Sequence, residues 1–421
     1  MSQVTGTRRG HHEEQGSDAE AWPTPAPRIA AAATALPEHV YRQEEILAAF
    51  VDEFLPVGSP RRRAAERISA NSGVDTRHFA VPIDRLRSLE SFTEANQAYL
   101  AAALDLGERA VRRALAEAGV RPDEVDLVVS TTVTGLAVPS LEARLAGRLG
   151  FREDVRRVPL FGLGCVAGAA GIARVADYLR AWPDQVAVLL SVELCSLTLQ
   201  RDDVSVANVV GSSLFGDGAA AVVLLGGRRR TTGGSARLPA AGQAAESPAA
   251  GRSARGSATA AGPDGGPEIR LTDERQALPA ITATRSRLYP DTEDVMGWDI
   301  GTGGFRLVLS ADVPTIARDF LSKDVFGFLA DHGLTVEDVG TWICHPGGPK
   351  VIDAVTESLG LPETALAHTR ASLADLGNLS SASVLDVLRR NLAEPLPPGG
   401  TPGLLLAMGP GFCAELVLLR W

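Results

Sequence analysis

Three side chains in this sequence have the types and settings that nucleophilic catalysis uses. They are Cys165 in "LFGLGCVAGAAGIARVADYL" (residues 160–179), His345 in "WICHPGGPK" and Asn378 in "ADLGNLSSASVLDVL". A cysteine nucleophile needs a base to take its proton and a polar group to orient the reacting atoms. Gly162 and Gly164 free the backbone ahead of Cys165, and Gly168 and Gly171 let the following helix pack closely. A cysteine at a helix N-terminus gains thiolate character from the dipole and free amides, and a neighbouring imidazolium adds to it. His345 ends a strand-like run and is followed by a sharp turn through Pro346, Gly347 and Gly348. Each residue also has a plain structural reading. Free cysteines commonly fill core gaps, an asparagine ahead of a helix commonly caps it, and Phe215 in "LFGDGAAA" reads as core beside a tight turn.

An internal repeat decides which elements position these residues. "AGVRPDEVDLVVST" (118–131) aligns without a gap on "HGLTVEDVGTWICH" (332–345), "LGCVAGA" (163–169) on "LGNLSSA" (376–382), and "GDGAAAVVLL" (216–225) on "GPGFCAELVLL" (409–419). The order is the same, and the alignment sets Cys165 opposite Asn378. A period near 200 residues is far longer than any solenoid repeat, so it predicts two similar halves. Strands are expected in "VDLVVSTTV", "QVAVLLSVEL" and "GAAAVVLL", then in "GTWICH", "GLLLAM" and "CAELVLLRW". Their nearly continuous apolar character marks buried strands. Helical patterns lie between them, so the fold class is layered α/β with a duplicated core. Equivalent turns then meet about a pseudo-twofold axis, where Cys165, His345 and Asn378 can converge.

Composition excludes several classes. With 421 residues and 45% hydrophobic content the chain can bury a large core, and its net charge of −10 is not that of a nucleic-acid binder. Cys165, Cys195, Cys344 and Cys413 contain no C-x-x-C pair, so neither a metal site nor a disulfide scaffold is expected. No apolar run is long enough to span a membrane, and the start lacks the core of a signal peptide. A soluble cytoplasmic protein is expected. Residues 1–27 read as a disordered tail, and the Gly, Ala, Ser and Pro-rich segment 226–268 as a mobile insertion. They frame an N-terminal half, 28–270, carrying the cysteine, and a C-terminal half, 271–421, carrying the histidine and asparagine.

Taken together, "LGCVAGAAG", "LFGDGAAA", "HPGGPKVID", "GNLSSASVLDVL" and "MGPGF" resemble the type III polyketide synthases. These are the chalcone-synthase-like branch of the thiolase-fold superfamily. The resemblance implies a homodimer of five-layered αβαβα subunits that takes acyl-CoA and malonyl-CoA, with no cofactor. It implies that Cys165 carries the acyl group, that His345 is its general base and ion-pair partner, and that Asn378 is the second polar catalytic group. Phe215 matches a gatekeeper aromatic; the second gatekeeper position, usually also Phe, falls on Leu307, which widens the passage. Cys195, Thr198 and Trp298 fall on cavity-lining positions, and Gly347 and Gly348 count among the substrate-binding residues. Val138 matches a residue that reaches into the partner's cavity. The basic run "SPRRRAAERI" lies where the family holds the CoA phosphates, with Arg67 the best-placed cation. The run "TEDVMGWDIG…FRLVLSADVP" (292–314) looks most like that of bacterial alkylresorcinol and alkylpyrone synthases, which implies an aliphatic starter. The runner-up is an initiation-type 3-oxoacyl-ACP synthase of fatty acid synthesis.

Overall fold

The computed structural model describes residues 25–55, 57–200, 203, 205–230 and 278–421. The expected tail and insertion lie mostly outside the described residues. Residues 25–27 and 226–230, assigned to those segments on composition, are packed. The Gly226 amide donates to the Gln185 carbonyl at 2.9 Å, Arg229 reaches Glu124 at 2.6 Å, and a Cβ on Gly227 would fall 1.8 Å from the Pro25 carbonyl oxygen. Small residues there reflect close backbone approach rather than a linker.

The first half supplies strands β1 (Arg28–Ala35), β2 (His39–Arg42), β3 (Thr76–Phe79), β4 (Leu127–Thr131), β5 (Arg156–Leu160), β6 (Val186–Leu194) and β7 (Asp217–Leu225). The second supplies β8 (Ala280–Leu288), β9 (Met296–Gly301), β10 (Gly304–Leu309), β11 (Thr341–Cys344), β12 (Pro402–Gly409) and β13 (Cys413–Arg420). Nine of them form one mixed sheet in the order β11-β12-β13-β8-β1-β7-β6-β4-β5. The halves repeat one pairing scheme. β4 lies parallel to β6 as β11 does to β12, β6 antiparallel to β7 as β12 to β13, and β7 antiparallel to β1 as β13 to β8. The halves meet at β1 and β8, where Arg28 pairs with Ala280. The repeated turn matches in detail too. Gly119 and Gly333 have φ of 64° and 66°, and each is followed by a one-turn helix whose acidic side chain caps an amide three residues back, Glu124 to Arg121 and Asp338 to Thr335.

Strand side chains alternate between two cores, as the period of two requires. In β6, Ala187 and Leu189 point to a central core, while Val186, Val188 and Leu190 point to an outer one. In β12, Leu405 and Ala407 join the same central core, while Leu404, Leu406 and Met408 face another outer core. Helices Ala167–Ala181 and Ser383–Ala393 fill the centre. Phe92–Ala118 and Leu141–Leu149 cover the first outer face, and Ser322–Ala330 and Pro349–Leu359 the second. That sequence of layers is αβαβα, a thiolase-like arrangement. Only small residues let the central helices approach so closely. A Cβ on Gly168 would fall 2.3 Å from the Ser381 carbonyl oxygen, and one on Gly171 2.5 Å from Leu189. Two glycines inside one helix cost about 0.5–1 kcal/mol each, which the packing they permit must offset. Among the described residues no helix is long and apolar enough to cross a membrane.

Candidate active site

Cys165 sits in the one-turn helix Gly164–Val166 that leads into Ala167–Ala181. Gly162 and Gly164 hold φ of 94° and 57°, and a Cβ on Gly164 would fall 2.7 Å from the ring of Pro410. That position therefore needs glycine twice over, for its conformation and for its space. The thiol is 7% exposed and lies 3.6 Å from the Ser380 hydroxyl.

The second half builds the same turn from Ser380–Ala382 ahead of Ser383–Ala393, with Ser380 at φ 50° in the place of Gly164. This corrects the sequence alignment. By conformation the twin of Cys165 is Ser381, and Asn378 lies three residues earlier, because the Leu-Gly pair that guided the match is not at the same distance from the two helices. Asn378 is held by its backbone on both sides. Its amide donates to the Leu214 carbonyl at 2.7 Å and its carbonyl accepts from Gly216 at 3.0 Å, a β-bridge with Phe215. Its side-chain Oδ1 accepts from the Ser380 amide at 2.8 Å. Asn378 does not cap a helix in the expected way, since Leu379 holds the cap position of the one-turn helix and Ala382 that of the longer one; its side chain instead closes the turn just ahead of them. That contact also orients the residue, because an amide whose oxygen is tied to the turn presents its NH2 elsewhere.

His345 follows β11, its amide bonded to the Leu406 carbonyl of β12 at 3.0 Å. The end of β12 abuts the cysteine turn, since a Cβ on Gly409 would fall 2.7 Å from the Val166 amide nitrogen. The His345 ring is buried, and neither ring nitrogen has a hydrogen-bond partner. Burial lowers its pKa to about 4. Gly347 and Gly348 shape the turn behind it. The Gly347 amide returns to the His345 carbonyl at 3.0 Å, and Gly348 at φ 140° opens the helix Pro349–Leu359.

The electrostatics run against the expected thiolate. Burial pushes the Cys165 thiol up to about 12, with the Glu193 carboxyl adding to the rise and Ser380 opposing it. Desolvation of a nearly enclosed sulfur opposes a helix terminus worth about 0.3–1 kcal/mol. Burial disfavours the charged form of both thiol and imidazole. Glu193, which sequence reasoning missed, is itself buried and raised to about 7 by desolvation. It accepts from the Val133 amide at 3.1 Å, from Thr134 at 3.0 Å and from the Ser381 hydroxyl. Its place in "SVELC", inside a strand buried on both faces, is the one signal that pointed to it.

Beside these residues lies a cavity of about 80 Å3. Five residues singled out from sequence line it: Cys195, Thr198, Phe215, Trp298 and Leu307. Phe215 joins cavity and turn, through its bridge to Asn378. Cys195 is pushed well up by burial first, then by Glu193, Asp217 and Cys165. Leu307 stands opposite Trp298 in the β9–β10 hairpin, so an indole neighbours the position where the second phenyl ring was expected. Cys165, His345, Asn378, Gly347, Gly348, Val138 and Arg67 are not among the lining residues. Val138 is 94% exposed, and Arg67 is exposed on the helix Pro60–Ala70. The arginines at the cavity are instead Arg77 and Arg87, which the sequence reading did not single out.

Comparison with known proteins agrees with this geometry. Residues 17–228 match the model of the N-terminal domain of chalcone and stilbene synthases, and residues 280–421 that of the C-terminal domain. The chain is 49% identical over 393 residues to a 1,3,6,8-tetrahydroxynaphthalene synthase of Streptomyces peucetius subsp. caesius, covering 93% of each chain. It is 35% identical to a putative chalcone synthase of Bacillus subtilis (strain 168), covering 83% of this chain and 87% of the relative. The crystal structure of 1,3,6,8-tetrahydroxynaphthalene synthase from Streptomyces coelicolor A3(2), a bacterial type III polyketide synthase, superimposes with a TM-score of 0.79 at 30% identity, covering 94% of this chain and 99% of that one. With both halves matched in order, the chain belongs to the chalcone and stilbene synthase family and is a type III polyketide synthase, an acyl-condensing transferase.

Proposed function

We propose that this enzyme uses malonyl-CoA as both starter and extender and releases a polyhydroxylated aromatic of the 1,3,6,8-tetrahydroxynaphthalene type. The carrying observation is the 49% identity, across nearly the whole of both chains, to a synthase of that product. The carbon count fits iterative condensation. A naphthalene skeleton has ten carbons, which five malonyl units supply once each has lost carbon dioxide.

The catalytic steps follow from the chemistry of the three residues. A neutral Cys165 thiol transfers its proton to a neutral His345 as sulfur attacks the CoA thioester. The C–S bond to CoA breaks, the acyl group stays on Cys165, and the departing thiolate takes the proton back. Malonyl-CoA then loses its carboxylate as carbon dioxide, leaving an enolate. Donors from His345 and the Asn378 amide stabilise its oxygen, a role worth about 2.7–4 kcal/mol per donor in comparable sites. The enolate carbon attacks the Cys165 thioester, and sulfur leaves as the thiolate. No protein atom among the described residues bonds either His345 ring nitrogen, which leaves both available to substrate.

A second reading keeps an aliphatic acyl-CoA starter and an alkylpyrone or alkylresorcinol product. What favours it is the aliphatic and aromatic part of the cavity wall, Ile46, Phe50, Ile83, Leu86 and Leu199. The carrier-protein-dependent 3-oxoacyl synthase is not favoured, since the relatives and family models are of the polyketide branch. The same reading makes the enzyme a cytoplasmic homodimer. In support, all four cysteines are free, and Leu136, Val138 and Phe161 are exposed apolar residues on loops next to the edge strand β5. Purified enzyme with malonyl-CoA as sole substrate should yield a ten-carbon aromatic by mass spectrometry, fully labelled from labelled malonyl-CoA. A product that forms only when a longer acyl-CoA is added would instead establish the second reading.

A further inference from the structure

Arg77 is 2% exposed and among the largest fully buried side chains of the protein. Arginine is almost never found so deep unless its charge is compensated, and none of the steps above uses it. Its surroundings join three parts of the site. From β3, the Nη1 group donates to the Phe215 carbonyl oxygen at 2.9 Å. The methylene stem lies against Gly377, where a Cβ would fall 3.0 Å from the arginine Cγ and Cδ. The guanidinium stands 5.6 Å from the centre of the Phe79 ring, and Nε has no partner. The compensating charge is Asp217, whose field raises the Arg77 pKa against the larger lowering by burial, leaving it at about 9. Asp217 in turn takes the Ala80 amide at 2.7 Å, the Ser196 amide at 2.8 Å and the Ser196 hydroxyl at 2.5 Å. Ser196 and Arg77 both line the cavity.

The Phe215 carbonyl belongs to the very segment that bridges Asn378. Its neighbours Leu214 and Gly216 hold the Asn378 amide and carbonyl, and Gly377, pressed by the arginine stem, precedes Asn378 directly. We propose that Arg77 is a positioning residue for decarboxylative condensation: bonded to the Phe215 carbonyl and packed on Gly377, it fixes the Phe215–Asn378 bridge and thereby the aim of the Asn378 amide. Arg77 touches no reacting atom in this account and acts through Asn378. The inference rests on the role given to Asn378 above. Among the described contacts Arg77 ties directly to the Asn378 segment, at Phe215 and Gly377, and reaches the Cys165 turn only at second hand, through Asn378 and Ser380. Acyl loading and decarboxylation should therefore respond differently to changes at Arg77. A misplacement near 1 Å costs about 100-fold in rate.

The test separates the two half-reactions. Loading is followed by intact-protein mass after mixing with acyl-CoA, and decarboxylation by acetyl-CoA release from malonyl-CoA in a Cys165→Ala background. Arg77→Met keeps the length of the stem and removes the charge and donor. It should lower the kcat of decarboxylation roughly 10- to 100-fold, with KM and the loading rate within about threefold of wild type. Arg77→Lys keeps the charge and one donor and should recover most of the loss. If Arg77→Met does not fold, Arg77→Lys carries the test alone, with decarboxylation reduced severalfold and loading unchanged. Parallel loss of loading and decarboxylation, or decarboxylation at the wild-type rate in Arg77→Lys with Arg77→Met unfolded or unaffected, overturns the proposal. Asn378→Ala is the control. If it decarboxylates as fast as its parent, the role of Asn378 itself fails, whatever Arg77 does.

Discussion

Replacing Glu193 by glutamine tests how the site is insulated from water. The carboxyl is fully buried beside the nucleophile, and burial raises its pKa from 4.5 to about 7. A folded-state pKa above the unfolded one means that the native protein binds this proton more tightly. The group therefore contributes most below pH 4.5, and that contribution is lost as pH rises through 7. At 1.36 kcal/mol per pH unit the loss amounts to about 3 kcal/mol. The glutamine side chain would imitate the protonated form, neutral and with one oxygen left to accept from the surrounding donors. Glu193→Gln should thus cost stability at pH 5 and gain relative to wild type by about 3 kcal/mol between pH 5 and 8. Urea unfolding at fixed protein concentration across that range measures the difference, and other titrating groups cancel because both proteins share them. A second readout is independent of unfolding. Removing the negative charge that raises the Cys165 thiol should speed its alkylation by iodoacetamide at pH 8. A stability difference that stays flat from pH 5 to 8 would refute the reasoning.

Three further outcomes can be checked. Gly168→Ala drives a methyl group toward the Ser381 carbonyl oxygen and Val384, both under 3 Å from its Cβ; it should destabilise by about 1–3 kcal/mol in denaturant unfolding. His345, lowered by burial to about 4 from 6.5, resists protonation when folded, so stability is lost as pH falls from 6.5 to 4. His345→Gln should show a shallower acid limb in the same unfolding series, by about 3 kcal/mol. Val138→Asp changes a side chain that is 94% exposed, so a lone subunit would tolerate it; gel filtration and light scattering should show the proposed homodimer weakened and the secondary structure unchanged.

Much of the fold was legible in the sequence because buried strands and repeats leave local signals. The strands in "QVAVLLSVEL" and "GAAAVVLL" are buried at every position, and the Gly119 and Gly333 turns match down to their φ angles. The match of Cys165 to Asn378 misled by three residues. Leu-Gly pairs align as letters, whereas the positive φ shared by Gly164 and Ser380 is a conformation that a serine does not advertise. Charge environments were the least legible. The expected thiolate rested on a helix terminus, a local feature, whereas the Cys165 pKa is set by enclosure and by Glu193, which arrives from another strand. Arg67 stood out in a basic run, yet that run is a helix with exposed arginines. The arginine built into the site, Arg77, comes from a four-residue strand with no pattern of its own.

One of four free cysteines is assigned to carry the acyl chain, and which one does so can be read directly. Incubation with acyl-CoA, followed by digestion and mass mapping, should place the adduct on the peptide containing Cys165 alone. Cys165→Ala should abolish it and Cys413→Ala leave it intact. An adduct on Cys195, Cys344 or Cys413 that survives Cys165→Ala would contradict the account.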